Sequence, residues 1–137
     1  MIFDFFDDLN WVAVLVAAVA WFAFSAVWYS IPPLSNAWQQ AAKVTPGEGP
    51  SLAMILIPTF LGYFVTTIVI ALLVNAMDAD SWQDGLALGT ALGIGFGVVG
   101  ALISQLYEQK GRLYWLINGV NAIIAYSIVA VILSLWD

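Results

Sequence analysis

Four apolar stretches, at about 10–31, 51–76, 82–107 and 114–136, carry between them a single charged residue, Asp84. Their length decides the fold class before any motif is considered. At about 1.5 Å of rise per residue, some twenty helical residues cover the ~30 Å hydrocarbon core of a bilayer. Inside lipid, each backbone N–H and C=O must be paired within the protein, so stretches of this kind fold as helices. The residue content agrees, with 63% apolar and 9% charged residues, against ~45–50% and ~25% in soluble domains. Four spans and short connections use up the 137 residues. The expectation is one domain over 1–137, an all-α integral membrane four-helix bundle with antiparallel up-down connectivity.

The ends and connections place these spans. Met1 to Asp8 sets Asp4, Asp7 and Asp8 among Ile2, Phe3, Phe5 and Phe6, which reads as a short interfacial segment with aromatics at headgroup depth. Its acidic start, followed by a full-length span, is unlike a secretory signal. Asn10 is a candidate N-cap, and Pro32 and Pro33 stop the first span near Ile31. Ala13, Ala17, Ala20 and Ala23 offer it a face for close approach. Trp21, Ser25, Trp28 and Tyr29 share another face, with the tips of Trp28 and Tyr29 expected at the interface and Trp21 deeper. The segment 34–42, with Trp38 among alanines and polar residues, suits a helix lying in the headgroup layer. Lys43 to Pro50 reads as an exposed loop. Pro58 removes a donor inside the second span and predicts a kink, while Thr66 and Thr67 can bond back to their own helix. Asp78, Asp80 and Asp84 form an acidic turn that lacks the late Glu of a calcium loop.

The third span carries the most regular pattern. Gly85, Gly89, Gly93 and Gly97 recur every fourth residue, and Ala101 and Ser104 continue the stripe. It is a GxxxG face that lets another backbone lie close. Leu88, Leu92, Phe96, Val99 and Ile103 form the bulky side. The expected use of the stripe is within the chain, with the alanine face of the first span as partner; a homodimer is the alternative. In the fourth span Asn118 and Asn121 lie one turn apart and should hydrogen-bond inside the bundle. Glu108, near Ser104, Gln105 and Tyr107, would cost about 2.5–3.5 kcal/mol if buried at mid-membrane. Lys110 and Arg112 follow it directly, so the expectation is an interfacial carboxylate paired with those cations.

The chain contains no cysteine and no histidine. Thiolate chemistry, the usual metal and haem ligands and the usual neutral-pH proton shuttle are therefore missing. The serines have no histidine or intramembrane lysine to activate them, and no pair of intramembrane carboxylates exists. The expectation is no enzyme, no catalytic residue, no metal and no cofactor, and the net charge of −6 gives no surface for nucleic acid. Lys43, Lys110 and Arg112 all fall in the first and third loops, whereas the N-terminus, the second loop and Asp137 are acidic. By the positive-inside rule both termini face outward.

Asn10-Trp11, Trp28-Tyr29-Ser30 with Pro32, Ala37-Trp38, Gly95-Phe96 and Leu116-Ile117-Asn118 together resemble the bacterial family of small four-span membrane proteins catalogued as domain of unknown function 1761. The resemblance covers most of the chain and implies four spans in a bacterial inner membrane. It marks Trp28, Tyr29, Trp38 and Asn118 as signature positions without assigning an activity. Ser25-Ala26-Val27 departs from the Leu-Gly that usually precedes the Trp-Tyr pair. Three functional readings follow. The leading one is a non-catalytic protein acting through helix packing and association, as a homo-oligomer or as a subunit with a membrane-protein partner. The second is a small oligomeric transporter or channel using Asn118, Asn121, Thr66, Thr67, Ser104 and Glu108. The third is a lipid- or pigment-binding module with Trp21, Trp28 and Trp38 as an aromatic wall.

Overall fold

The computed structural model describes residues 1–45 and 47–136. Pro46 of the first loop and the acidic Asp137 lie outside the described residues. The architecture is all-helical. A 3-10 turn at Ile2–Asp8 precedes α1 (Trp11–Trp28), the short α2 (Pro32–Ala42) and α3 (Leu52–Ala76). The third span is α4 (Trp82–Leu92), a π-helical segment at Gly93–Val98 and α5 (Val99–Tyr107), followed by α6 (Arg112–Leu135). Four helices, Trp11–Trp28, Leu52–Ala76, Trp82–Tyr107 and Arg112–Leu135, are long and apolar enough to cross a membrane. The chain is a multi-pass membrane protein.

Local chemistry sets the helix ends. Asn10, Ser51 and Ser81 each accept an N–H of the first turn, from Ala13, Met54 and Asp84, relieving donors that would otherwise be orphaned in a low-dielectric layer. Pro32 and Pro33 open α2, where a missing N–H costs nothing. At the other ends Lys43, Asp78 and Gln109 adopt left-handed φ of 60°, 52° and 55° and turn the chain sharply. Pro58 lies inside α3, and the helix continues through it to Ala76.

Spans consecutive in the chain run antiparallel, and α6 is the hub. It packs against α1, α3, and each part of the third span, and α2 folds back onto it. α3 and α4 are joined by a short turn yet share at most a glancing contact; α3 lies beside α1 instead. The buried core forms where α1, α3 and α6 meet, around Val14, Ile70 and Val129. Large side chains such as Leu52, Ile57, Leu61 and Val65 are exposed on α3. On a spanning helix they face acyl chains, and no water-driven cost arises.

Candidate functional site

The glycine stripe closes one side of the bundle. A methyl group built on Gly85 would stand 2.7 Å from Val131 Cα, and one on Gly93 2.6 Å from Ile123 Cα. At Gly89 and Gly97 it would overlap Ser127 and Ala122. The partner is thus α6 and not the alanine face of α1, which was the expected seat. In α1 the buried positions are Ala13, Val14, Ala17, Ala18, Trp21 and Ser25, whereas Ala20 is half-buried and Ala23 exposed. The small-residue face therefore turns toward Trp21 and Ser25.

A four-residue repeat on a 3.6-residue helix drifts by about 40° at each step, so four glycines cannot stay on one α-helical line. The π segment begins at Gly93, and its wider i→i+5 turn rotates the backbone back. Gly97 is brought to Ala122 by that correction. Ala101 and Ser104 beyond it are half-buried. Leu88 and Leu92, expected on the bulky side, pack partly against the core, while Phe96, Val99 and Ile103 are exposed.

The two amides of α6 meet α1. Tyr29 donates its hydroxyl to Asn118 Oδ1 at 2.5 Å, and Asn121 Nδ2 donates to Ser25 Oγ at 3.4 Å. Ser25 and Tyr29 are one turn apart on α1, as Asn118 and Asn121 are on α6, so the pairs form a two-rung ladder across the seam. The tip of Tyr29, expected at the interface, points inward. Ser25 was visible on the Trp21 face, but nothing in the sequence marked it as the partner of an amide. Thr67 is fully buried and donates to Tyr63 O at 2.7 Å, and Thr66 is half-buried. Trp28 packs on Phe24 and Trp38 on Tyr29, with ring centroids 5.7 and 5.6 Å apart. The buried Nε1 atoms of Trp28 and Trp38 have no partner among the described residues.

Glu108 is exposed, and among the described residues the only ion pair is that of the N-terminus with Asp4. The expected pairing of Glu108 with Lys110 and Arg112 is not formed because Lys110 has a better-placed acceptor. Its Nζ donates to Ala42 O at 2.8 Å, and Gly111 N–H donates to Ala41 O at 2.6 Å. The last carbonyls of α2 are thereby capped by a cation and an amide from the turn before α6. Gly111 sits so close that an added methyl would meet Ala41 Cα at 2.9 Å.

Against the tight glycine seam stands an open one. Phe22, Ser25, Ala26, Tyr29 and Ser30 of α1 and its C-terminal turn face Ile55, Leu56, Thr59 and Tyr63 of α3 across a cleft of ≈ 320 Å³. Aromatic rings pack between the two helices beside it. Trp21 stacks on Tyr63 with centroids 4.2 Å apart and meets Tyr126 of α6 edge-on at 5.2 Å. Phe22 meets Phe60 edge-on at 5.8 Å. No charged side chain lines the cleft. Tyr63 had no sequence signal beyond being an aromatic within a span, and the cleft depends on how far α1 and α3 are separated, which periodicity does not encode.

Fold, glycine seam and cleft define a small four-span helical membrane protein. The family described as Protein of unknown function (DUF1761) matches residues 12–134, from the start of α1 to the end of α6. The chain belongs to that family. No curated protein and no solved structure matches it.

Proposed function

We propose that the protein is a non-catalytic membrane module that holds an amphiphilic molecule of lipid type between α1 and α3. The observation that carries this reading is the cleft, whose apolar walls and five hydroxyl-bearing residues have the mixed lining typical of small-molecule sites. The association reading draws on the missing catalytic chemistry and on abundant packing surface, of which the glycine stripe is taken up by α6 of the same chain. Transport has less support. Asn118 and Asn121 bond to Tyr29 and Ser25, Thr67 bonds to its own helix, and Glu108 stands exposed beyond α5, so these groups line no common opening.

The proposed setting is a bacterial inner membrane with both termini outward. Support comes from the cations: Lys43 follows α2, and Lys110 caps that same helix, so the basic first and third loops share one end. The test is to purify the full chain gently from its membrane and compare bound lipid with that of Ala26→Phe, which fills the cleft from an exposed position. A lipid species enriched over the bulk membrane and lost in Ala26→Phe supports the reading. Equal bound lipid in both proteins overturns it.

A further inference from the structure

We infer that the cleft selects an uncharged amphiphile whose head presents a carbonyl or ester oxygen, held by the hydroxyl protons of Ser25 and Tyr63. The inference rests on the cleft being a binding site and adds the chemistry of the head. Which hydroxyl protons are already committed decides the matter. Ser30 donates to Ala26 O, Thr59 to Ile55 O and Tyr29 to Asn118 Oδ1. Ser25 differs: its oxygen accepts from Asn121, so its own proton is left over in a residue that is only 5% exposed. The Tyr63 hydroxyl makes no hydrogen bond among the described residues, although its ring is fixed by Trp21.

Two residues of the cleft lining therefore carry hydroxyl protons with no acceptor among the described residues. A buried donor such as that of Ser25 is costly to leave unpaired, Tyr63 beside it in the lining is half-buried, and an acceptor oxygen entering the cleft answers these protons. A charged head would give up its hydration with no counter-ion in the lining. The volume of ≈ 320 Å³ lies near the lower limit of ~300 Å³ for ligand sites, so the head and the first part of the chain fit and the tail stays among lipids.

The test uses the full chain in phosphatidylcholine nanodiscs. A photoreactive diacylglycerol is compared with a photoreactive phosphatidic acid of the same acyl chains, and adducts on the α1 and α3 peptides are mapped by mass spectrometry. The expected result is at least fivefold more labelling by the neutral probe, reduced about fivefold by Tyr63→Phe, which keeps the ring stack, and similarly by Ser25→Ala. Displacement by an unlabelled prenyl quinone would point to a ring carbonyl, and its failure to an acylglycerol ester; either agrees with the inference. Equal or stronger labelling by phosphatidic acid overturns it, as does labelling unchanged in both variants. Ala26→Phe separates the two levels. If it removes labelling by both probes, the cleft binds whatever its head preference; if labelling survives, the cleft reading itself fails.

Discussion

The two seams of this bundle use opposite residues for opposite ends. Where the third span meets α6, glycines at 85, 89, 93 and 97 bring backbones into contact, and nothing larger than a hydrogen fits between them. Where α1 meets α3, Trp21, Phe22, Phe60 and Tyr63 interpose rings and leave a cleft beside them. In lipid, helices gain little from excluding water, so close packing and interhelical hydrogen bonds must hold them together. The glycine seam supplies the first and the Ser25–Asn121 and Tyr29–Asn118 ladder the second. With α6 anchored on both sides, α3 can stand off from α1 without loosening the fold.

The sharpest way to break the contrast is at Gly89. Gly89→Ala forces a methyl into Ser127 and should destabilise the bundle by about 1–3 kcal/mol, read as a fall in melting temperature in detergent. Gly62 and Gly100 are the controls, since an added methyl meets nothing within 4 Å there. Gly62→Ala and Gly100→Ala should leave stability unchanged or raise it by up to about 1 kcal/mol through helix propensity. Equal effects at all three sites would mean that glycine matters here only through propensity.

Next in size is the ladder. Tyr29→Phe leaves Asn118 without its donor, for a loss of about 0.6–1.5 kcal/mol, because interhelical bonds in membranes are worth less than their gas-phase strength suggests. In an Asn118→Leu background the same change should cost almost nothing. A double-mutant cycle on thermal unfolding reads the coupling directly. The smallest effect belongs to the α2 clamp. Lys110→Ala should raise amide hydrogen exchange in the last turn of α2 by a fewfold while leaving the global unfolding free energy within about 0.5 kcal/mol of the parent's.

The spans were legible because charge is so costly in lipid that runs without it can hardly be anything else. The stripe was legible as a face of close approach, yet its partner was not. Ala13 and Ala17 of α1 and the small residues Ala122, Ser127 and Ala130 of α6 are equally able to receive glycines, and one chain's pattern does not choose between them. The π segment escaped because no capping residue announces it; only the drift of a four-residue repeat on an α-helix hints that something must rotate the backbone. Asn118 and Asn121 were visible as amides needing partners, while Tyr29 read as an interfacial aromatic whose tip belongs in the headgroups. The charge of Lys110 points to Glu108, but carbonyls at the end of a helix compete for the same cation.

One paired measurement tests the division between the seams most directly. It is thermal unfolding of Gly89→Ala and Ala26→Phe in the same detergent, with and without added diacylglycerol. The account predicts that Gly89→Ala melts well below the parent and is still stabilised by the amphiphile, whereas Ala26→Phe melts like the parent and gains nothing from it. The reverse pattern, a stable Gly89→Ala together with an Ala26→Phe that still responds to the amphiphile, would contradict it.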